Sequence, residues 1–335
     1  MLKMLEKFVM PVNEKMQPFR IRRPRTAFVF AGGGSMGAVQ VGMLRALVEE
    51  GIEADLVVGS SVGAINAAYF AGMPSMEGIE TLETLWRGIK RHDVFPVTWR
   101  GLLGFLMERR HVVPADGLRR LIGKHLPFAN LEDAEIALRV VATDARTGEA
   151  AVLAKGPATE AILASTAIPG AFAPVEFAGR TLCDGGIASN TPVAAAVAAG
   201  AERLIVLPSG FAPASNAPPR GAIECALHAV TLMTTRQLAS EMAVIGAHIN
   251  THVLPAACPK RLSPFDFSET ATLIEHAYNS AKEWLDQGGL LQSAGSRISV
   301  PSISAPSRKF FPVAGTVSAL RSYRDDCGPA IAVPA

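Results

Sequence analysis

The chain has 335 residues, 49% of them hydrophobic and 19% charged, enough to bury a large core in one sizeable domain with extensions. A formal net charge of +2 argues against a strongly acidic or basic partner, nucleic acid included. Four cysteines, Cys183, Cys225, Cys258 and Cys327, lie far apart without metal or redox spacing, so free thiols in a reducing compartment are expected.

Residues 1–25 carry Lys3, Lys7, Lys15, Arg20, Arg22, Arg23 and Arg25 against Glu6 and Glu14. The apolar run Phe8-Val9-Met10 stops at Pro11, too short for the core of a secretory signal. A disordered basic leader is expected, with a weak anchor on an anionic lipid surface as the alternative. From Thr26 the pattern reads as strand 26–30, a glycine turn (Gly32, Gly33, Gly34, Gly37), helix 38–50, strand 55–58, a sharp turn, and a second helix from Val62. The uncharged run 56–76 imitates a membrane span, but a glycine turn and a proline interrupt it, so it reads as a buried strand and helix.

Both turns carry candidate chemistry. The first offers successive backbone N–H groups at a helix start, a nest for a phosphate or for the oxyanion of acyl transfer. It also satisfies G-x-G-x-x-G, so a dinucleotide fold is the first rival; that fold needs an acid closing the second strand, and Asp55 opens it instead. The second turn, Gly59-Ser60-Ser61-Val62-Gly63, is G-x-S-x-G between a β-branched run and a small-residue helix. A plain turn is one reading. The other is a nucleophile elbow, in which Gly59 and Gly63 let strand and helix approach while the turn lifts Ser61 to a helix N-terminus.

Farther along, 81–90 places Leu82, Leu85, Trp86 and Ile89 on one helical face at ordinary core spacing. The greasy run 99–107 precedes Arg109, Arg110 and His111; packed core is its ordinary reading, and the alternative is that part of it lines an acyl-chain site. Asp116 is expected to cap a helix to Leu126, and 137–143 and 151–154 to form strands around a turn at 146–149, where Asp144 reads as turn-forming rather than catalytic. After 164–175 comes Leu182-Cys183-Asp184-Gly185-Gly186. A serine hydroxyl needs a group to take its proton, and a carboxylate on a tight loop free of side chains suits that task, so Asp184 is the candidate base.

Taken together, Gly32-Gly33-Gly34-Ser35-Met36-Gly37, Gly59-Ser60-Ser61-Val62-Gly63, the 164–175 segment and Asp184-Gly185-Gly186 resemble the patatin-like phospholipases over about 26–208, all four blocks in order, with a looser echo to about Leu285. The resemblance implies an oxyanion hole at Gly32, Gly33 and Gly34, a Ser61 nucleophile and a Ser-Asp dyad completed by Asp184 without histidine, metal or organic cofactor. Many members carry Arg or Lys where this chain has Met36, which leaves the turn without a neighbouring cation. A Ser-acid-His triad is the rival, because His228, His248, His252 and His276 follow Asp184; against it, only one strand precedes the nucleophile strand.

Beyond Gly186, a helix opens at Asn190-Thr191-Pro192 and feeds a strand 203–207; then come a loop 208–219, a long helix 222–248 with Met233 and Met242 as packing residues, a strand 251–255 and a helix 269–285 capped by Ser268. The expected architecture is three-layer α/β/α with a mainly parallel central sheet and the site at the strand C-terminal ends. The expected division is a leader 1–25, a patatin-like catalytic domain 26–208, a helical and strand extension 209–290 packed on it, and a disordered tail 291–335. The expected function is hydrolysis of phospholipid or lysophospholipid carboxyl esters through an acyl-enzyme. General carboxylesterase or acyltransferase chemistry is the near alternative, and a non-catalytic nucleotide- or lipid-binding module the distant one. The expected partner is a lipid substrate and the expected location the cytoplasm, with peripheral membrane contact as a variant; oligomeric state has no sequence signature.

Overall fold

The structure is a computed structural model that describes residue 23 and residues 25–94, 114–209, 221–246, 249–255 and 263–291. Most of the expected leader, the 99–107 run, His248 and the tail beyond 291 lie outside the described residues. The strands are β1 (Thr26–Phe30), β2 (Leu56–Ser60), β3 (Ala137–Asp144), β4 (Ala150–Leu153), β5 (Val175–Phe177), β6 (Arg180–Cys183), β7 (Arg203–Leu207) and β8 (Asn250–Val253). The helices are α1 (Ala38–Glu49), α2 (Val62–Gly72), α3 (Met76–Gly88), α4 (Arg91–Val94), α5 (Asp116–His125), α6 (Ala158–Ser165), α7 (Gly186–Ser189), α8 (Val193–Ala198), α9 (Ala222–Ile245) and α10 (Thr270–Asp286).

One sheet takes all eight strands along the hydrogen-bonded path β5-β6-β3-β2-β1-β7-β8, with β4 also pairing with β3. From β3 to β8 the pairs are parallel, and β4, β5 and β6 join antiparallel. Alternate residues of the parallel strands feed two apolar layers. Phe28, Phe30, Val57, Val140 and Ile205 pack under α1, α2, α3 and α10. Ala27, Val29, Leu56, Val58 and Val206 pack under Val193 and Ala196 of α8 and Leu238 and Met242 of α9. A sheet covered on both faces explains why these strands read as unbroken apolar runs, and it makes the fold a three-layer α/β/α sandwich. Against α1, helix α10 lies so close that a Cβ on Gly42 would meet the Ile274 carbonyl oxygen at 2.1 Å.

Register explains how distant segments meet. Val141 of β3 pairs with Ser60 of β2 and Val152 of β4, while Thr143 pairs with Ala150 of β4 and Cys183 of β6. Since β4 takes one edge of β3, β2 and β6 share the other and run toward each other along it. The residues that follow them, Ser61 and Asp184, enter the gap beside Ala142.

Several boundaries differ from expectation for local reasons. Strand β2 runs on to Ser60 because β3 pairs with it that far. Helix α3 begins at Met76, since the Ser75 side chain accepts the Gly78 N–H at 3.2 Å. Asp116 is the first residue of α5 rather than its cap, which is Ala115. Glu269 rather than Ser268 caps α10, and the Ser268 N–H is donated to Asp266 at 2.9 Å. Of the two methionines expected to pack, Met242 does, whereas Met233 is 70% exposed. The 56–76 run is β2, α2 and the start of α3, and among the described residues no helix is long and apolar enough to cross a membrane.

Candidate active site

Ser61 closes the turn between β2 and α2 with φ 53°, a left-handed conformation that costs a non-glycine residue of order 1–3 kcal/mol. The turn is possible because strand and helix almost touch: a Cβ on Gly63 would lie 2.4 Å from the Phe30 carbonyl oxygen, and one on Gly59 2.3 Å from that of Gly63. The Ser61 hydroxyl donates to Asp184 Oδ2 at 2.7 Å, both residues being buried. Asp184 Oδ1 accepts the Gly186 N–H at 2.8 Å, and the Asp184 carbonyl accepts the Thr143 hydroxyl at 2.7 Å. Gly185 has no room for a side chain, as its Cβ would sit 2.0 Å from the Val141 carbonyl oxygen. Burial raises the Asp184 carboxyl to about 6, although the Ser61 and Gly186 hydrogen bonds pull it down. A carboxylate with that affinity accepts a proton near neutral pH far more readily than an ordinary aspartate.

The glycine turn lies beside them. Gly32 donates its N–H to the Asn190 carbonyl at 2.9 Å. Its amide is therefore already engaged within the fold, so of the three expected oxyanion donors Gly33 and Gly34 are the candidates carried forward. Gly32 serves by its small size, because a Cβ there would lie 2.6 Å from Asn190 Oδ1 and 3.1 Å from Ser61 Cβ. Gly34 has φ 60° and starts the 3₁₀ turn Gly34–Gly37. Behind that turn runs a buried polar chain: Trp86 Nε1 donates to Asn66 Oδ1, and Asn66 Nδ2 donates to the Gly37 carbonyl and to Gln40 Oε1. Gln40 Nε2 in turn donates to the carbonyls of Ala31 and Leu207, so the turn is tied to the ends of β1 and β7.

Ser61 and Gly34 border an apolar cavity. Its walls come from α2 (Ile65, Tyr69), α3 (Leu82, Leu85, Trp86, Ile89), α5 (Leu118, Leu121, Ile122, His125) and α6 (Ile162), closed by Phe172 and Phe267. The stripe 82-85-86-89, read from its spacing as ordinary core, belongs to the core layer, with Leu82 and Trp86 buried, and also lines this cavity.

The model of the family described as "Patatin-like phospholipase" matches residues 28–197, just over half of the chain. The chain belongs to the patatin-like phospholipase family. An uncharacterized NTE family protein of Mycobacterium tuberculosis is 33% identical over 200 residues, which is 58% of this chain and 53% of that protein. Patatin-like phospholipase domain-containing protein 7 of Rattus norvegicus is 28% identical over 186 residues, 55% of this chain and 13% of that protein. The match thus spans about half the length of the mycobacterial relative and a small part of the rat one. VipD from Legionella pneumophila, a solved structure, aligns with TM-score 0.48 and 16% identity, covering 79% of this chain and 67% of that one.

In this patatin-like chain the other candidates hold structural positions. Asp55 accepts the Thr26 N–H at 2.8 Å and bonds Arg23 at 2.9 Å, pinning the far end of the sheet. Asp144 accepts the N–H groups of Arg146 and Thr147, and the Arg180 guanidinium holds its carboxyl below the usual range. His252 is on β8, three strands from β2 and hence roughly 14 Å across the sheet, its Nδ1 against the Gly289 carbonyl at 3.2 Å. Among the described residues no histidine is hydrogen-bonded to Ser61 or Asp184, and no group of three His, Cys, Asp or Glu side chains could hold a metal ion.

Sequence reasoning passed over Ser165. Its hydroxyl accepts the Ser61 N–H at 2.9 Å and donates to the Val141 carbonyl at 2.6 Å, while its carbonyl accepts the Gly185 N–H at 3.0 Å. One residue therefore ties the serine turn to the aspartate loop. The available signal was a serine directly after the apolar run 161–164, a position that the structure shows to be fully buried.

Proposed function

We propose that this protein is a serine lipid acyl hydrolase that cleaves carboxyl esters of phospholipids or lysophospholipids through a Ser61–Asp184 dyad. The reading rests on the 2.7 Å hydrogen bond between the two side chains at the edge of a long apolar cavity. Asp184 takes the Ser61 proton as Oγ attacks the ester carbonyl carbon. The carbonyl oxygen becomes an oxyanion beside the Gly33 and Gly34 N–H groups. When the tetrahedral intermediate collapses, the ester C–O bond breaks and Asp184 returns the proton to the departing alcohol. Water then repeats the sequence: Asp184 takes its proton, hydroxide adds to the acyl carbon, and Ser61 leaves with the proton. The acyl chain lies in the apolar cavity, where each buried methylene contributes about 0.8 kcal/mol. Contact with a lipid surface through the basic 1–25 segment belongs to the same proposal, and binding of intact and truncated protein to anionic vesicles tests it.

A panel of phospholipids, lysophospholipids and neutral esters, assayed with and without calcium, tests the reading. Wild type should release fatty acid, and Ser61→Ala and Asp184→Asn, each shown to be folded, should not. Fatty-acid release that survives Ser61→Ala would exclude the mechanism, and a folded wild type inert on every lipid would exclude the function.

A further inference from the structure

The glycine turn is held from far downstream. Ser35 donates its N–H to the Pro264 carbonyl at 2.8 Å and its hydroxyl to the Ser263 carbonyl at 3.1 Å. A Cβ on Gly34 would meet the Pro264 carbonyl oxygen at 2.4 Å, so this backbone lies directly against the turn. The Ser263 carbonyl also accepts the Asp266 N–H at 2.9 Å, which folds the segment back on itself. Phe267 follows, 9% exposed, its ring stacked on Trp86 with centroids 6.3 Å apart and planes at 22°. That ring is part of the cavity wall that also contains Ser61 and Gly34. Residues 263–267 lie well beyond residue 197, where the family match ends.

We propose that the segment 263–267 completes the active site and that Phe267 is a specificity-determining residue, the wall against which the distal part of a long acyl chain packs. The inference rests on the acyl-hydrolase reading and adds to it a determinant supplied from outside the matched stretch. The physical case is one of short tethers. Only two residues separate Phe267 from Pro264, whose carbonyl is fixed to the turn, and α10 begins at Thr270, itself buried. Pinned on both sides, the ring has little room to retract, and it stacks on a tryptophan that is itself anchored through Asn66. On this proposal a long chain that fills the cavity packs against this pair of rings, and a chain of a few carbons makes less contact with it.

The test is a series of p-nitrophenyl esters, butanoate, octanoate, dodecanoate and hexadecanoate, hydrolysed by the full chain. A buried methylene is worth roughly fourfold in kcat/KM, so removing a ring that covers about two of them should lower the hexadecanoate-to-butanoate ratio of kcat/KM by roughly fifteenfold. Phe267→Ala should show that drop in the ratio, and Phe267→Leu a smaller drop in the same direction. An unchanged ratio, or an equal loss at every chain length, would overturn the role given to Phe267. Should Phe267→Ala fail to fold, Phe267→Leu decides by the same ratio. Ser61→Ala runs alongside: turnover that survives it, or a wild type inert on every ester, removes the acyl-hydrolase reading and this inference with it. Ser61-dependent turnover with an unaltered chain-length profile removes the inference alone.

Discussion

Replacing Asp184 by Asn separates the chemistry of the site from its stability. Burial raises the Asp184 carboxyl to about 6, against about 3.9 in an unfolded chain. A difference of about two units, at roughly 1.4 kcal/mol each, penalises the ionised form in the folded protein by about 3 kcal/mol. The sign follows from proton counts. Between about pH 4 and 6 the folded protein keeps a proton that the unfolded chain has released, so stability falls as pH rises through that window and is level above it. The Asp184→Asn variant has nothing to titrate there and retains an oxygen for the Gly186 N–H, which Asp184 Oδ1 accepts at 2.8 Å. Urea unfolding across this range should find the two proteins alike below about pH 4 and the variant more stable by about 3 kcal/mol above about pH 6. Over the same range wild-type kcat/KM should rise with pH and level off above about 6, as the base ionises, and the variant should be inactive. A stability difference that does not change with pH, or one that favours wild type as pH rises, would refute the reasoning.

The Ser165→Ala change leaves the buried Ser61 N–H without the hydroxyl that accepts it at 2.9 Å. It should lower stability by about 1–3 kcal/mol and kcat by roughly ten- to a hundredfold with KM little altered, and a normal kcat in steady-state kinetics would contradict that role. A methyl group on Gly33 would lie 2.1 Å from Ser209 Oγ and 2.5 Å from Ser209 Cβ, so Gly33→Ala must displace Ser209 or the turn. Its kcat should fall by about 10²–10³, the effect of losing one oxyanion donor, and near-normal turnover would remove Gly33 from that role. Leu121→Glu sets a carboxylate into the apolar cavity from a half-buried position on α5. Hydrolysis of hexadecanoate esters should fall by at least about tenfold while butanoate turnover persists, and parallel losses would mean that the cavity does not hold the chain.

Much of this arrangement is legible in the sequence, and the exceptions share a cause. Strand β1 and helix α2 announce themselves because apolar β-branched runs and small-residue helices beside glycine turns have few other ways to fold. Asp144 was readable as a turn residue, since a carboxylate two and three residues before free N–H groups closes a turn locally. What stayed hidden depends on contacts between distant segments. Nothing near Gly32 tells that Asn190 takes up its N–H, and nothing near Ser35 that Pro264 lies against it. The periodicity of Leu82, Leu85, Trp86 and Ile89 was enough to place them in the core, but the same spacing occurs whether or not a cavity opens beside them, so the cavity stayed hidden. Met233 is apolar yet exposed, because α9 presses only one side against the sheet layer.

The central claim is that Ser61 is a nucleophile made reactive by Asp184. Labelling with a serine-directed fluorophosphonate, followed by mass spectrometry of the digested protein, tests it most directly. The account predicts a single adduct on Ser61, absent from Ser61→Ala and formed at least about a hundredfold more slowly in folded Asp184→Asn. An adduct on another residue, or labelling at the wild-type rate without the Asp184 carboxylate, would contradict it.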